Sequence, residues 1–236
     1  MNKAARRELR DFLAANGLSV TTLTLPSIDV NIAAAMGEMR NLSLATLRQT
    51  IELAGDLGAE GVVIGPGKAN PLFPMSFDEL LNYFYEALDH LLPLAEIACT
   101  SLFVQNMPSA FLPAEHDLRN ALNAYGDASV GIAYDVANGH FIGEDIGEAL
   151  RACAPRLRTI HLSDTAHDVH RHAAVGLGSV DFHVLPDVLA QIEYMRRPML
   201  EIVADDPDDA IERSARKLHA IGIHHPRPKD VTWMVQ

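Results

Sequence analysis

The 236-residue sequence predicts an α/β fold on parallel strands, and three observations carry that expectation. Six short apolar, β-branched runs recur, helical patterns separate them, and polar residues interrupt the runs near their C-terminal ends. The runs are LSVTTLTL (18 to 25), GVVIG (61 to 65), SLFVQN (101 to 106), VGIAYDV (130 to 136), LRTIHLSD (157 to 164) and PMLEIVAD (198 to 205). Most are apolar on both alternating faces, as strands buried on two sides of a parallel sheet read.

The helices follow from spacing and stop signals. Residues 3 to 16 place Leu9, Phe12 and Leu13 on one stripe and end at Gly17, and residues 42 to 57 place Leu44, Leu47, Ile51 and Leu57 at helical intervals. Ser76 and Glu79 form a capping-box pair ahead of LLNYFYEALDHLLPLAEIA, where Pro93 is expected to kink or split the helix. Shorter helices fit 115 to 124, 144 to 153, 185 to 195 and 207 to 221.

A helix followed by six strand-helix repeats implies parallel strands joined by right-handed crossovers. A (β/α) barrel and an open doubly wound sheet both satisfy this order. The open sheet calls for a glycine-rich first turn, and GPGKANP (65 to 71) is neither a GxGxxG nor a phosphate-binding loop, because Lys68 is not followed by Ser or Thr. The expectation is a (β/α) barrel in a single domain over 1–222, with a C-terminal tail over 223–236. Either architecture places ligands beyond the carboxyl ends of the strands.

Composition narrows the function. A hydrophobic content of 48% is that of a globular core, and 19 Lys and Arg against 31 Asp and Glu give a net charge of -12 that repels phosphate backbones. A small-molecule substrate is expected and nucleic acid is not. Cys99 and Cys153 form no CxxC pair, the basic start is broken by Glu8 and Asp11, and no run reaches an uncharged membrane span. The expectation is a cytoplasmic protein with reduced thiols and no membrane contact.

The polar interruptions are the candidate site. The third strand ends in Gln105 and Asn106, the fourth in Asp135 with Asn138 beyond it, the fifth in His161 with Asp164, and the sixth holds Glu201 between Leu200 and Ile202. A buried carboxylate without a partner costs several kcal/mol, so a set at equivalent strand ends points to a shared cation. Carboxylate, imidazole and amide oxygen together suit Mn²⁺, Mg²⁺, Co²⁺ or Zn²⁺. The loop after His161 is rich in histidine and closes with Gly176 and Gly178, and Arg171 and His172 are its candidate substrate contacts. Solvent-facing loop histidines and hydrogen-bonded strand-end groups are the alternatives.

The segments LFVQNMP, IAYDVANGHF, IHLSDT with RHAAVGLGSVDF, and MLEIVADDPDDAI resemble the xylose isomerase-like TIM-barrel superfamily up to about residue 222. In its sugar epimerases, the resemblance implies, two glutamates, an aspartate and a histidine hold one divalent metal while the glutamates move a proton. Those positions map to Asp135, His161 and Glu201, with Gln105 in place of the first glutamate. An amide oxygen can still ligate a metal but cannot act as a general base. Glu201 and His161 are the expected catalytic groups, with Asn138 and Asp164 beside them as substrate contacts; from loop position, Arg171 and His172 are expected to orient the substrate, and Lys68 with Asn31 to reach a terminal phosphate or hydroxyl, solvent exposure being the alternative for these last two. Endonuclease IV shares the motif around His161 and Asp164. Its other ligand positions are Gly65, Asn138 and His170 here, and these with the acidic charge argue against a three-zinc DNA site.

Family members open with two further strands, so the resemblance implies an incomplete TIM-type barrel of about six strands. A shortened chain, or a second copy or other partner covering the strands at 18 to 25 and 198 to 205, would account for it. The functional expectation is a divalent-metal-dependent isomerase or epimerase of a small sugar, sugar phosphate or related hydroxy-carbonyl compound. A barrel that has lost catalysis and serves in binding, and a metal-dependent hydrolase or lyase, are the other readings.

Overall fold

The computed structural model describes residues 1–25 and 29–223. The expected tail over 223–236 therefore lies, past its first residue, outside the described residues. Packing divides the chain into two compact units within the span expected as one domain: Met1–Tyr134 with Pro155–Arg158, and Asp135–Ala154 with Thr159 onward.

All six expected strands are present, ordered as in the sequence: β1 (Thr22–Thr24), β2 (Gly61–Ile64), β3 (Ser101–Gln105), β4 (Gly131–Asp135), β5 (Leu157–Leu162) and β6 (Met199–Leu200). In the first unit β1 pairs in parallel with β2, β2 with β3 and β3 with β4. Val63, Phe103 and Ala133 from three consecutive strands form a buried cluster. Gly61 and Gly131 leave room for the Phe103 ring, since a Cβ on either would lie within 3 Å of it. Arg156 ties the unit's far end together by donating to the carbonyls of Leu122, Asp127 and Val130 and to Asn123 Oδ1.

The helices are α1 (Lys3–Ala15), α2 (Gly37–Leu57), α3 (Phe77–Ile97), α4 (Glu115–Tyr125), α5 (Val136–Phe141), α6 (Ile146–Cys153), α7 (Leu185–Gln191) and α8 (Pro207–Ala220). The Ser76 and Glu79 capping box forms as expected. Pro93 does not split α3, which runs through it as one helix. Both Pro93 and Asp89, whose carbonyl loses its helical donor there, face solvent, so water can satisfy the orphaned oxygen. Among the described residues no helix is long and apolar enough to cross a membrane.

Two boundaries bear on function. The expected strand over 130 to 136 stops at Asp135, whose side chain accepts from Asn138 N at 2.7 Å and caps α5, a helix the sequence pattern did not predict. In the second unit β6 is only two residues long and pairs with β5 through His161↔Met199 and Leu162↔Leu200. Glu201 thus sits one residue past the strand, held by donation of its N–H to Leu162 O at 3.1 Å.

Candidate metal centre

The second unit gathers its polar strand-end residues into one group. Asp135 is fully buried at the junction of β4 and α5, and His161 is nearly buried on β5. His161 Nδ1 lies 2.6 Å from Glu201 Oε2, and the Glu201 side chain keeps 35% of its exposure, enough for solute to reach it. His172 enters from the loop after β5 and brings Nδ1 to 3.7 Å from Asp135 Oδ2. One ligand atom from each of Asp135, His172 and Glu201 lies within 4.8 Å of the other two.

Electrostatics separates the two carboxylates. Burial raises the Asp135 carboxyl to about 6, with the Glu201 charge adding to the rise, while His172, the Asn138 N–H and His161 oppose it. Burial also pushes Glu201 upward, but the His161 hydrogen bond and charge, the His172 charge and a hydrogen bond from Asp135 outweigh it, and the net shift is downward. Glu201 is thus ionised at neutral pH, and Asp135 is the carboxyl that holds a proton in mild acid. Two carboxylates and imidazole converging in a partly dry place form a donor set of the kind divalent transition ions and Mg²⁺ take.

Around this group the loop from 163 to 180 is tied down at many points. Asp164 Oδ1 accepts from Thr165 N at 2.9 Å and Val180 N at 3.1 Å, and Oδ2 accepts from Gly176 N at 2.7 Å. Asp164 and Ala173 form an antiparallel bridge, and Val203 N donates to His172 O at 2.7 Å. Ser214 Oγ accepts from Val175 N, and Lys217 Nζ donates to Val175 O. Gly178 has no room for a side chain, since a Cβ would lie 2.3 Å from Thr165 O. The carboxylate of Asp164, read from sequence as a substrate contact, is thus engaged in building the loop.

The remaining sequence-derived residues fall as follows. Asn138 Oδ1 meets His170 Nε2 at 2.7 Å, and the His170 ring stands edge-on to His172 at 5.2 Å. Arg171 is exposed on the loop, its backbone N–H donating to Thr165 Oγ1. Gln105 is buried at the end of β3 in the first unit. Asn31 and Lys68 meet in that unit, where Asn31 Oδ1 accepts from Lys68 N and Ala33 N and Nδ2 donates to Lys68 O. Asn31 is therefore occupied by backbone. The sequence reading missed Ser163, whose Oγ lies 3.0 Å from His172 Nδ1, although the alternation His161-Leu162-Ser163 on extended chain puts it on the same face as His161. His172, expected from the sequence as a substrate contact, lies with Nδ1 3.7 Å from Asp135 Oδ2.

Parallel strands alternating with helices, and acidic and imidazole groups collected just past strand ends, define a (β/α) protein with a candidate metal centre. The family model described as xylose isomerase-like TIM barrel matches residues 1–221, and the chain belongs to that family. An uncharacterised protein of Methanocaldococcus jannaschii is 24% identical over 190 residues, which is 80% of this chain and 72% of the relative. A probable endonuclease 4 of Mycobacterium ulcerans is 24% identical over 166 residues, 66% of this chain and 63% of the relative. Similar folds occur in a D-tagatose 3-epimerase-like protein (TM-score 0.80, 22% identity, 92% of this chain and 81% of the other) and in 3-keto-D-glucoside 4-epimerase from E. coli (TM-score 0.80, 22% identity, 92% and 85%). The IOLI protein, solved with a binding zinc atom, is similar at TM-score 0.77 and 16% identity, over 92% of this chain and 81% of the other.

Proposed function

We propose that this chain is a divalent-metal-dependent isomerase or epimerase of a small sugar, sugar phosphate or related hydroxy-carbonyl compound. The observation that carries the reading is the convergence of Asp135, His172 and Glu201 to within 4.8 Å beside His161. Structural likeness to proteins named as sugar epimerases supports it.

In this reading Asp135, His172 and Glu201 would hold the ion, with His161 as a further ligand position that the resemblance implies. The ion, when bound, supplies a Lewis acid that polarises the oxygens beside the reacting carbon and makes its C–H acidic. Glu201 takes that proton: its lowered pKa keeps it ionised near neutrality, and His161 fixes Oε2. Asp135 remains buried and contributes charge rather than proton transfer. Arg171 and Asn138 orient substrate hydroxyls from the loop and from α5. The resemblance puts an amide, Gln105, at the sequence position of the epimerases' first glutamate, so a one-base isomerisation fits the sequence better than a two-glutamate epimerisation.

The test is proton exchange. Ketoses and their phosphates are incubated with the Mn²⁺- or Co²⁺-loaded protein in deuterated solvent and followed by NMR. Deuterium entering the carbon beside the carbonyl, abolished by Glu201→Gln, is the expected outcome. Bond cleavage without exchange would replace this reading with a hydrolase or lyase on the same residues.

A further inference from the structure

Val175, three residues past His172, is buried and lies in a turn outside helix and strand, so its N–H and carbonyl have no regular backbone ladder to join. α8 supplies both partners from one face. Ser214 Oγ accepts from Val175 N at 3.0 Å and Lys217 Nζ donates to Val175 O at 2.7 Å, from side chains three residues apart on the helix. Chemistry fixes both directions, because the single Ser214 hydroxyl proton goes to Ala210 O at 2.7 Å and an ammonium has only donors. Gly176 leaves the space the ammonium fills, since a Cβ there would lie 2.3 Å from Lys217 Nζ. Lys217 as a whole is exposed, whereas Val175 and Ser214 beneath it are buried.

The chain leading into α8 also carries Glu201. That residue stands one past β6, and Val203, two residues further on, donates its N–H to His172 O at 2.7 Å. Val203, Ser214 and Lys217 thus fasten residues 172 and 175 to the same strand-helix unit that delivers Glu201.

We infer that Lys217 is a positioning residue that, with Ser214, clamps the segment 172–176 to α8 and so sets where His172 stands relative to Asp135 and Glu201. His172 comes from a loop and not from a strand, so its place depends on what the loop is fastened to. A charged donor to a buried carbonyl is a strong fastening, and without the ammonium Val175 O is left desolvated and lacking that donor. The segment relieves this by moving toward water, and the His172 backbone moves with it. The consequence for metal binding rests on the proposed function; the clamp itself does not.

The experiment follows amide hydrogen exchange and the His172 ring resonances by NMR in the metal-free full chain, comparing wild type with Lys217→Met, Lys217→Arg and Arg213→Met. Arg213, which pairs with Asp209 on the exposed surface of α8, is the control. In Lys217→Met the amides of Ala173, Val175 and Gly176 should exchange about 10-fold to 100-fold faster while those inside α8 keep their rates, and the His172 ring signals should shift. Lys217→Arg, which keeps a donor cation, should return most of the wild-type behaviour, and Arg213→Met should change neither readout. Unchanged exchange in Lys217→Met, or equal acceleration throughout the unit, overturns the clamp. Faster exchange with unmoved His172 signals overturns the positioning role. A Co²⁺ titration then reads the consequence at the centre, where Lys217→Met should bind about 10-fold more weakly than wild type and Lys217→Arg should recover most of the loss. Equal Co²⁺ affinity in wild type and Lys217→Met also contradicts the positioning role. If the wild type binds no Co²⁺, the metal reading fails, and the exchange rates and ring signals still decide the role of Lys217.

Discussion

Two groups of histidines share the second unit and differ in what they touch. His161 and His172 meet carboxylates, at 2.6 Å to Glu201 and 3.7 Å to Asp135. His140, His167 and His170 meet neutral groups: His140 Nε2 lies 2.8 Å from Ser179 Oγ, its ring stacks on His167 at 4.0 Å, and His170 meets Asn138 Oδ1 and packs on Phe141. Burial lowers the pKa of His140 and of His170, with His167 and His172 adding to the respective shifts, so both are neutral at physiological pH. A histidine count would have merged the groups. The carboxylates separate a chemical pair from a framing trio, because of these five histidines only the pair meets negative charge, in a partly buried place.

The largest effect that sharpens this contrast is on turnover. Glu201→Gln keeps the shape of the inner group but removes its ionised oxygen, and solvent exchange into substrate should fall by about 10³-fold. His167→Ala, from the outer group, should leave the exchange rate within about threefold, and a comparable loss in both would break the distinction.

A second effect is on stability and concerns the loop that delivers His172. Gly178→Ala drives a methyl into the Thr165 carbonyl and should cost about 2–3 kcal/mol in urea unfolding of the metal-free protein. Asp164→Ala leaves three backbone N–H groups without their acceptor and should cost about as much. Neither residue belongs to the inner group, so weakened metal binding in these variants would follow from loss of loop position.

The inner group also predicts a pH dependence. Asp135 has a folded pKa of about 6, above its ordinary 3.8, so the folded state binds its proton more tightly than the unfolded chain does. That contribution is fully present below about pH 4 and is lost as pH rises through 6, amounting to roughly 2–3 kcal/mol. The stability of metal-free wild type relative to Asp135→Asn should therefore fall between pH 4 and pH 7, read from denaturant midpoints. A flat difference would show that Asp135 is not penalised by burial. The smallest effect belongs to His140→Ala, which loses one hydrogen bond to Ser179 and should cost about 1 kcal/mol.

The strands were legible because short β-branched runs that are apolar on both faces fit a sheet covered on two sides and little else, and Asp135, His161 and Glu201 were legible because each breaks such a run. What the sequence hid has a common physical cause. α5 is six residues long, contains Gly139 and begins on a residue that ends a strand, so no periodicity exposes it. The place of His172 depends on the Asp164 bridge and on Val203, contacts distant in sequence from its own HRH motif. Ser163 meets His172 only because the fold brings a loop residue nine positions on against it. Residues on strands reveal their direction by alternation, whereas loop residues acquire theirs only from the folded strap.

The most direct measurement is a Co²⁺ titration comparing wild type, Asp135→Ala and His140→Ala by calorimetry and visible absorption. Wild type and His140→Ala should each bind one equivalent of Co²⁺ with affinities within about threefold, and Asp135→Ala should lose at least about 100-fold. Unchanged binding in Asp135→Ala, or binding lost in His140→Ala alone, would contradict a metal centre built on Asp135.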